Sequence, residues 1–349
     1  ARSIDRVAMR IVSLLAVCFG LSLLFEASAD APRALFDLRR FNEKLELSAR
    51  SFRPVGTTSL VYRLQLEDGE RIAFRPAQRY RPVGHLAELA AYRIGAALTL
   101  DNIPPVALRR EPLHRLDRLM DSRFEERHRK ERSRLRPLPS GDVLGAAIDW
   151  VPDLTPSRLD RPEVRERWLA ALRIGAPPNS EFSPPLLRDL SNLVVYDFVI
   201  GNWDRMSGGN LQTNAEGTRV YLRDHNLAFD TPTPRRHELL MLDRLYTLER
   251  FDRGVIERLA RLNREALARV LEPDSAAPET PILSAEQIDG VMDRRARIFM
   301  HLALLYAEPA RRRLVGAELG AVSDYGEPDV GRQQRKRLDR DVVAFQRNE

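Results

Sequence analysis

The chain has 349 residues, 43% of them hydrophobic and 30% charged, with a formal charge of +6. These values describe an ordinary globular chain organised as one large bilobal domain or two small ones. The modest basic excess suits an anionic ligand such as a nucleotide, or attraction to an acidic envelope surface. Lys and Arg total 56, yet only Lys44, Lys130 and Lys336 are lysines, so the positive charge is almost all arginine.

Arg2, Arg6 and Arg10 precede an apolar run from Ile11 to Phe25, and Ala27-Ser-Ala29 offers a small-residue cleavage site before Asp30. That is the pattern of a secretory signal peptide over residues 1–29. The run is short for a spanning helix, which needs about 20 residues. The chain is therefore expected to be exported, periplasmic or extracellular, and membrane-anchored only if this segment is not cleaved. Cys18, the single cysteine, lies inside it, so the mature chain forms no internal disulfide.

An N-terminal extension, 30–49, carries a helix from Leu35 to Leu47. Val55-Gly-Thr-Thr-Ser59 is a glycine turn before a strand over Leu60–Leu66, and Asp68-Gly69 turns the chain into a second strand, Arg71-Ile-Ala-Phe-Arg75. Leu86–Ala97 reads as a helix that carries Glu88. From Arg109 to Arg136 arginines alternate with Glu111, Asp117, Asp121, Glu125, Glu126 and Glu131. Interleaved acids oppose phosphate binding, so this segment reads as a solvated insertion, and no specific nucleic-acid partner is expected. Ile148-Asp-Trp-Val-Pro152 reads as a strand whose Trp150 is either site-lining or core. Pro177-Pro178 and Pro184-Pro185 bracket a loop leading into the helix before Asp204.

The apolar run Leu193–Ile200 then reads as a buried helix ended by Gly201. Asn202-Trp-Asp-Arg leads to Asn210, and a hairpin around Asn214-Ala-Glu-Gly217 returns the chain to Asp224. Thr231-Pro-Thr-Pro marks a loop, and helices are expected over Phe251–Leu271, Ser284–Tyr306 and Glu308–Gly316. The tail is charged, with a basic run from Arg332 to Arg337.

Asp204, Asn210 and Asp224 carry the chemistry. Phosphoryl transfer needs a carboxylate to orient the attacking hydroxyl, and an Asp and an Asn to hold the metal that neutralises phosphate charge. Asp204, Asp224 and Asn210 fit those roles in that order. Taken singly, they also fit a loop acid, a cap and a turn residue. The chain has no Walker glycine-lysine loop, no Gly-x-Gly-x-x-Gly, no Gly-x-Ser-x-Gly elbow and no zinc spacing among its six histidines.

Val199-Ile-Gly-Asn-Trp-Asp-Arg, followed by Arg223-Asp-His-Asn-Leu-Ala-Phe, resembles the catalytic and metal-binding segments of the secretory-pathway (Golgi casein) kinases, the "family with sequence similarity 20" group. More distantly it is similar to HipA-type and phosphoinositide-type kinases. Upstream, Gly69-Glu-Arg-Ile-Ala-Phe-Arg-Pro76, His85-Leu-Ala-Glu-Leu-Ala-Ala-Tyr92 and Asn102-Ile-Pro-Pro-Val106 resemble that family's nucleotide-lysine strand, helix glutamate and following strand. The resemblance spans about residues 50 to 315, specific only in these blocks.

It implies an α+β, bilobal protein-kinase-like fold: a small strand-rich N-lobe (50–147, with the Arg-rich insertion at about 109–137), a larger helical C-lobe (148–317) and a tail (318–349). It also implies an exported ATP-dependent kinase using Mn or Mg. Asp204 is then catalytic, Asn210 and Asp224 bind metal, and Arg75, Glu88 and Gly56 serve the nucleotide. The hydroxyl acceptor stays open between protein, sugar and lipid. Two departures favour a pseudokinase that binds a nucleotide or a partner without transfer. Arg75 stands where the family has lysine, and the spacing from Asp204 to Asn210 is one residue longer than in the usual kinase loop, an excess that Gly208-Gly209 is placed to absorb. A third reading, a basic envelope-binding protein, requires salt-sensitive binding that survives Asp224→Ala.

Overall fold

The structure, a computed structural model, describes residues 35–56, 59–177, 181–306 and 323–324. The expected signal segment, the helix over 308–316 and most of the charged tail lie outside these residues. Asp37 caps the first helix, Leu38–Glu46 (α1), by accepting the backbone N–H groups of Arg39 and Arg40.

Strands Ala49–Val55 (β1), Val61–Leu66 (β2) and Arg71–Pro76 (β3) follow. Helix Gly84–Ala97 (α2) then leads to Val106–Pro112 (β4). Two short helices, Leu113–Arg118 (α3) and Glu125–Glu131 (α4), precede Asp142–Asp149 (β5). The strands form one antiparallel sheet in the order β1-β2-β3-β5-β4.

Alternation along the strands gives this sheet two different faces. Phe52, Tyr62, Leu64, Ile72, Phe74 and Val143 form a cluster that Leu116, Met120 and Leu135 cover from outside. Leu108, Leu144 and Ala146 point the other way, into a larger cluster built on α2 and the helices that follow. Because Phe74 faces the outer cluster, its neighbour Arg75 faces inward, beneath the sheet. The arginine-rich segment differs from its sequence reading. Arg109–Pro112 lie in β4 and the helical excursion begins at Leu113; its Leu116, Met120 and Leu135 pack on the sheet while Glu125, Glu126, Arg129 and Lys130 stay in solvent. Buried His128 anchors it, with one ring nitrogen 3.1 Å from the Tyr62 hydroxyl and the other 2.8 Å from Asp117.

The helical lobe follows: Thr155–Pro156 (β6), Pro162–Ala171 (α5), Pro184–Ile200 (α6), Gln212–Thr213 (β7), Val220–Tyr221 (β8), Arg235–Thr247 (α7), Arg250–Phe251 (β9), Arg253–Arg261 (α8), Arg264–Val270 (α9), Ala285–Tyr306 (α10) and Ser323–Asp324 (β10). Pro184 and Pro185 open helix α6, the helix into which the expected loop leads. Proline is suited to the first helical turn, where its missing N–H has no partner to lose, and Ser183 caps the end. The single helix expected over 251–271 is divided, because Asp252 and Asn263 each accept a backbone N–H and start a new helix. Buried Tyr196 on α6 donates to the carbonyl of Ala91 on α2 at 2.7 Å, which ties α2 to the helical lobe as well as to the sheet.

Gly145 holds β5 against β3. A Cβ at this position would lie 2.5 Å from Phe74 Cε2 and 2.6 Å from the Arg75 carbonyl. Gly145→Ala is expected to destabilise the fold by about 1–3 kcal/mol, the cost of forcing extra volume into a packed core. Thermal unfolding should show a loss of several degrees.

Candidate functional site

Asp204 sits just beyond a rigid element. Helix α6 is buried along most of its length and ends at Gly201, whose φ of +67° is the left-handed conformation glycine adopts cheaply. Asn202 turns the chain out, and Trp203–Met206 forms a single 3-10 turn that carries Asp204. Gly208 and Gly209 both have positive φ, +98° and +78°, and fold the backbone back on itself. The Asn210 amide consequently donates to Asp204 Oδ2 and to the Asp204 carbonyl, each at 3.1 Å. That orientation uses the Asn210 nitrogen and leaves its Oδ1 available as an acceptor.

A buried ion pair fixes the turn. Arg205 is fully enclosed, its Nε 3.0 Å from Asp197 Oδ2 and its Nη2 3.1 Å from Oδ1. This two-pronged contact ties the loop back to the helix it leaves. Arg205 Nη1 also donates to the carbonyl of Arg223, which joins the Asp204 loop to the segment that carries Asp224. Sequence reasoning missed Asp197. The available signal was an acid inside an otherwise apolar helix, which is rarely buried without a partner. Asp189, two turns earlier, was missed in the same way. It accepts from the Val220 backbone at 3.0 Å and from Arg219 Nε at 2.8 Å, fastening the β7–β8 hairpin to α6.

The hairpin is also held from the N-lobe side, where the Asn102 side chain donates to the Val220 carbonyl at 2.9 Å. Leu222 N–H donates back to the Asn102 carbonyl at 2.9 Å. Asp224 then adopts φ +62°, a left-handed backbone that Asp tolerates better than most residues.

Arg75 lies opposite, its side chain only 5% exposed. Its guanidinium has three partners. Nη2 donates to Asp224 Oδ1 at 2.8 Å and Nη1 to Ser59 Oγ at 2.9 Å. Nε lies 3.0 Å from Glu88 Oε1, a close charge contact without the alignment of a good hydrogen bond. Ser59 is a residue the sequence offered only as part of a turn, and the Gly56 carbonyl of that turn accepts from Arg127 Nη2 at 2.7 Å.

Glu88 is fully buried. It accepts the backbone N–H of His225 at 3.1 Å and lies 3.2 Å from that ring's Nδ1. Burial alone would raise its pKa, but Arg75 and His225 overcome that cost and hold it down at about 2. His225 Nε2 is buried without a partner, an orphaned polar atom at the heart of the cluster.

The strand expected over 148–152 ends at Asp149, which pairs with Lys44 of α1 at 2.8 Å. Trp150 is half-buried, with the Arg63 guanidinium 5.9 Å from its ring centroid. A pocket of about 590 Å³ opens here, lined by Phe36, Lys44, Glu70, Asp149, Trp150 and Tyr221 among others. It does not reach Arg75, Asp204 or Asp224. Among the described residues, no group of three or more His, Cys, Asp or Glu is arranged to hold a metal ion. No described helix is long and apolar enough to cross a membrane.

Compared with protein-family models and with curated protein sequences, the chain matches none. Solved structures do match. A crystal structure of the Golgi casein kinase superposes with a TM-score of 0.56 at 15% identity, covering 83% of this chain and 80% of the other. The same kinase with Mn/ADP bound gives 0.55 at 16% identity over the same shares. Hydra Fam20 with sugar gives 0.57 at 18% identity, covering 77% of this chain and 88% of that one. The fold is that of the Fam20 kinases. Its lobes meet where Arg75 and Glu88 on one side face Asp224 on the other, so the candidate site lies at the junction of sheet and helices.

Buried His85, one turn before Glu88 on α2, gives this junction an acid-sensitive support. Burial, reinforced by Arg136, lowers its pKa from 6.5 to about 4. As pH falls below 6.5 the unfolded chain takes up the proton while the folded chain resists it, so stability is lost down to about pH 4. Urea midpoints measured from pH 7 to 4 should fall more steeply for wild type than for His85→Gln.

Proposed function

We propose that the chain is an exported kinase that transfers the γ-phosphoryl group of ATP to a hydroxyl acceptor with a divalent metal. One observation carries the reading: Asp224 pairs with Arg75 beside Glu88, and Arg205 ties the loop that carries Asp204 and Asn210 to the Asp224 segment, inside a fold shared with a kinase solved with Mn/ADP. Asp204 orients the attacking hydroxyl and accepts its proton. Glu88 steadies Arg75, and Arg75 faces the phosphates.

The donor set suits Mn or Mg. Asp224 Oδ2 and Asn210 Oδ1 would hold the ion as hard oxygen donors, with phosphate and water oxygens able to supply the rest. The bound ion would neutralise charge on the transferring phosphoryl group, while the chain's own residues position the reactants. Export rests on the basic, apolar and small-residue pattern of residues 1–29.

The ion pair between Arg75 and Asp224 favours a second reading, a pseudokinase that keeps the nucleotide site and has lost transfer. The kinase reading requires metal–nucleotide binding. ATP with Mn, at about a hundredfold its dissociation constant, should stabilise the protein by about 2.7 kcal/mol, a rise of several degrees in Tm that Asp224→Ala abolishes. No shift with any nucleotide contradicts the kinase and leaves a partner-binding module. If the shift is present, phosphoryl transfer lost in Asp204→Ala while nucleotide binding persists supports the kinase, and binding without transfer in wild type leaves the pseudokinase.

A further inference from the structure

Arg75 does more than stand near the phosphates. Its Nη2 occupies Asp224 Oδ1 at 2.8 Å, so one of the two oxygens that would face metal already holds a permanent cation. In kinases that use two divalent ions, the acid at this place and the loop asparagine share them. Here the guanidinium covers one side of that acid.

The cation is fixed from every direction. Ser59 takes Nη1 and Glu88 lies against Nε, and Glu88 is itself anchored by the His225 backbone. The group is buried and stays charged at any accessible pH, so moving it aside would strand Glu88 as an uncompensated buried charge. A lysine would behave differently. Its single compact ammonium can pair with Glu88 and a phosphate without spanning both acids and the serine, whereas the planar fork reaches all three together.

We propose that Arg75 takes the place of one of two divalent ions, so that this site holds a nucleotide with a single metal on Asp224 Oδ2 and Asn210 Oδ1. The inference rests on the kinase-type nucleotide reading above and assigns its metal stoichiometry. It also gives the lysine-to-arginine change a role beyond the general arginine bias of the chain. The guanidinium supplies fixed positive charge at the acid, and the remaining ion bridges the phosphates.

The test counts ions. Mn²⁺ bound per chain at saturating ADP is titrated by electron paramagnetic resonance in the full chain and in Arg75→Lys, with circular dichroism on both. One ion in wild type and two in Arg75→Lys is the expected result. Two ions in wild type overturn the inference while leaving the nucleotide site intact, and this count needs no variant. A folded Arg75→Lys protein that still holds one ion overturns it as well. No Mn²⁺ retained with ADP in wild type overturns the inference together with the reading on which it rests.

Discussion

A guanidinium cannot be buried alone, and the site is organised around satisfying one. Arg75 leaves the inner face of β3 almost fully enclosed, so the structure must deliver anions and acceptors to it from elsewhere. Glu88 comes from α2, Ser59 from the turn between β1 and β2, and Asp224 from the far end of the β7–β8 hairpin. These are the sheet, the helix behind it and the helical lobe. The charge requirement of one side chain thus brings three separate parts of the fold to a common point, and His225 extends the cluster by donating its backbone N–H to Glu88.

The same logic recurs on the helical side. Arg205 is buried against Asp197, and its remaining donor reaches the Arg223 carbonyl. Arg219 pairs with Asp189 and with Asp101. In each case an acid set into a helix or its flanking turn receives an arginine from a loop, which converts a flexible connection into a fixed one. A chain with 56 basic residues and almost no lysine is well supplied for such forked contacts. Breaking one of them leaves a charge stranded in the interior, typically at a cost of about 3–5 kcal/mol. Loop geometry at Asp204 and Asp224 therefore depends on salt bridges that never touch the reacting groups.

Much of this arrangement was legible in order along the chain. The apolar run into Gly201, the hairpin signal at Asn214–Gly217 and the paired glycines before Asn210 are local features, and local physics decides them. The divided helix over 251–270 was harder, because Asp252 and Asn263 look like ordinary polar residues until their side chains are seen to cap. Pro184-Pro185 marks the end of a loop leading into a helix, and helix α6 begins there. The contacts of Arg75 with Asp224 were out of reach. They join residues 149 apart in sequence, and no spacing rule connects a strand arginine to a turn acid across two lobes. Asp197 and Asp189 were missed for a related reason: an acid in an apolar helix signals that a partner exists, without saying which.

The central claim is that Asp224 and Asn210 hold a metal–nucleotide complex in front of Arg75. A crystal structure of the chain with Mn²⁺ and ADP, with anomalous data to locate the metal, tests it directly. The account predicts manganese density between Asp224 Oδ2 and Asn210 Oδ1, with the diphosphate beside an Arg75 still paired to Asp224 Oδ1. Nucleotide bound elsewhere, or manganese coordinated without Asp224, would contradict it.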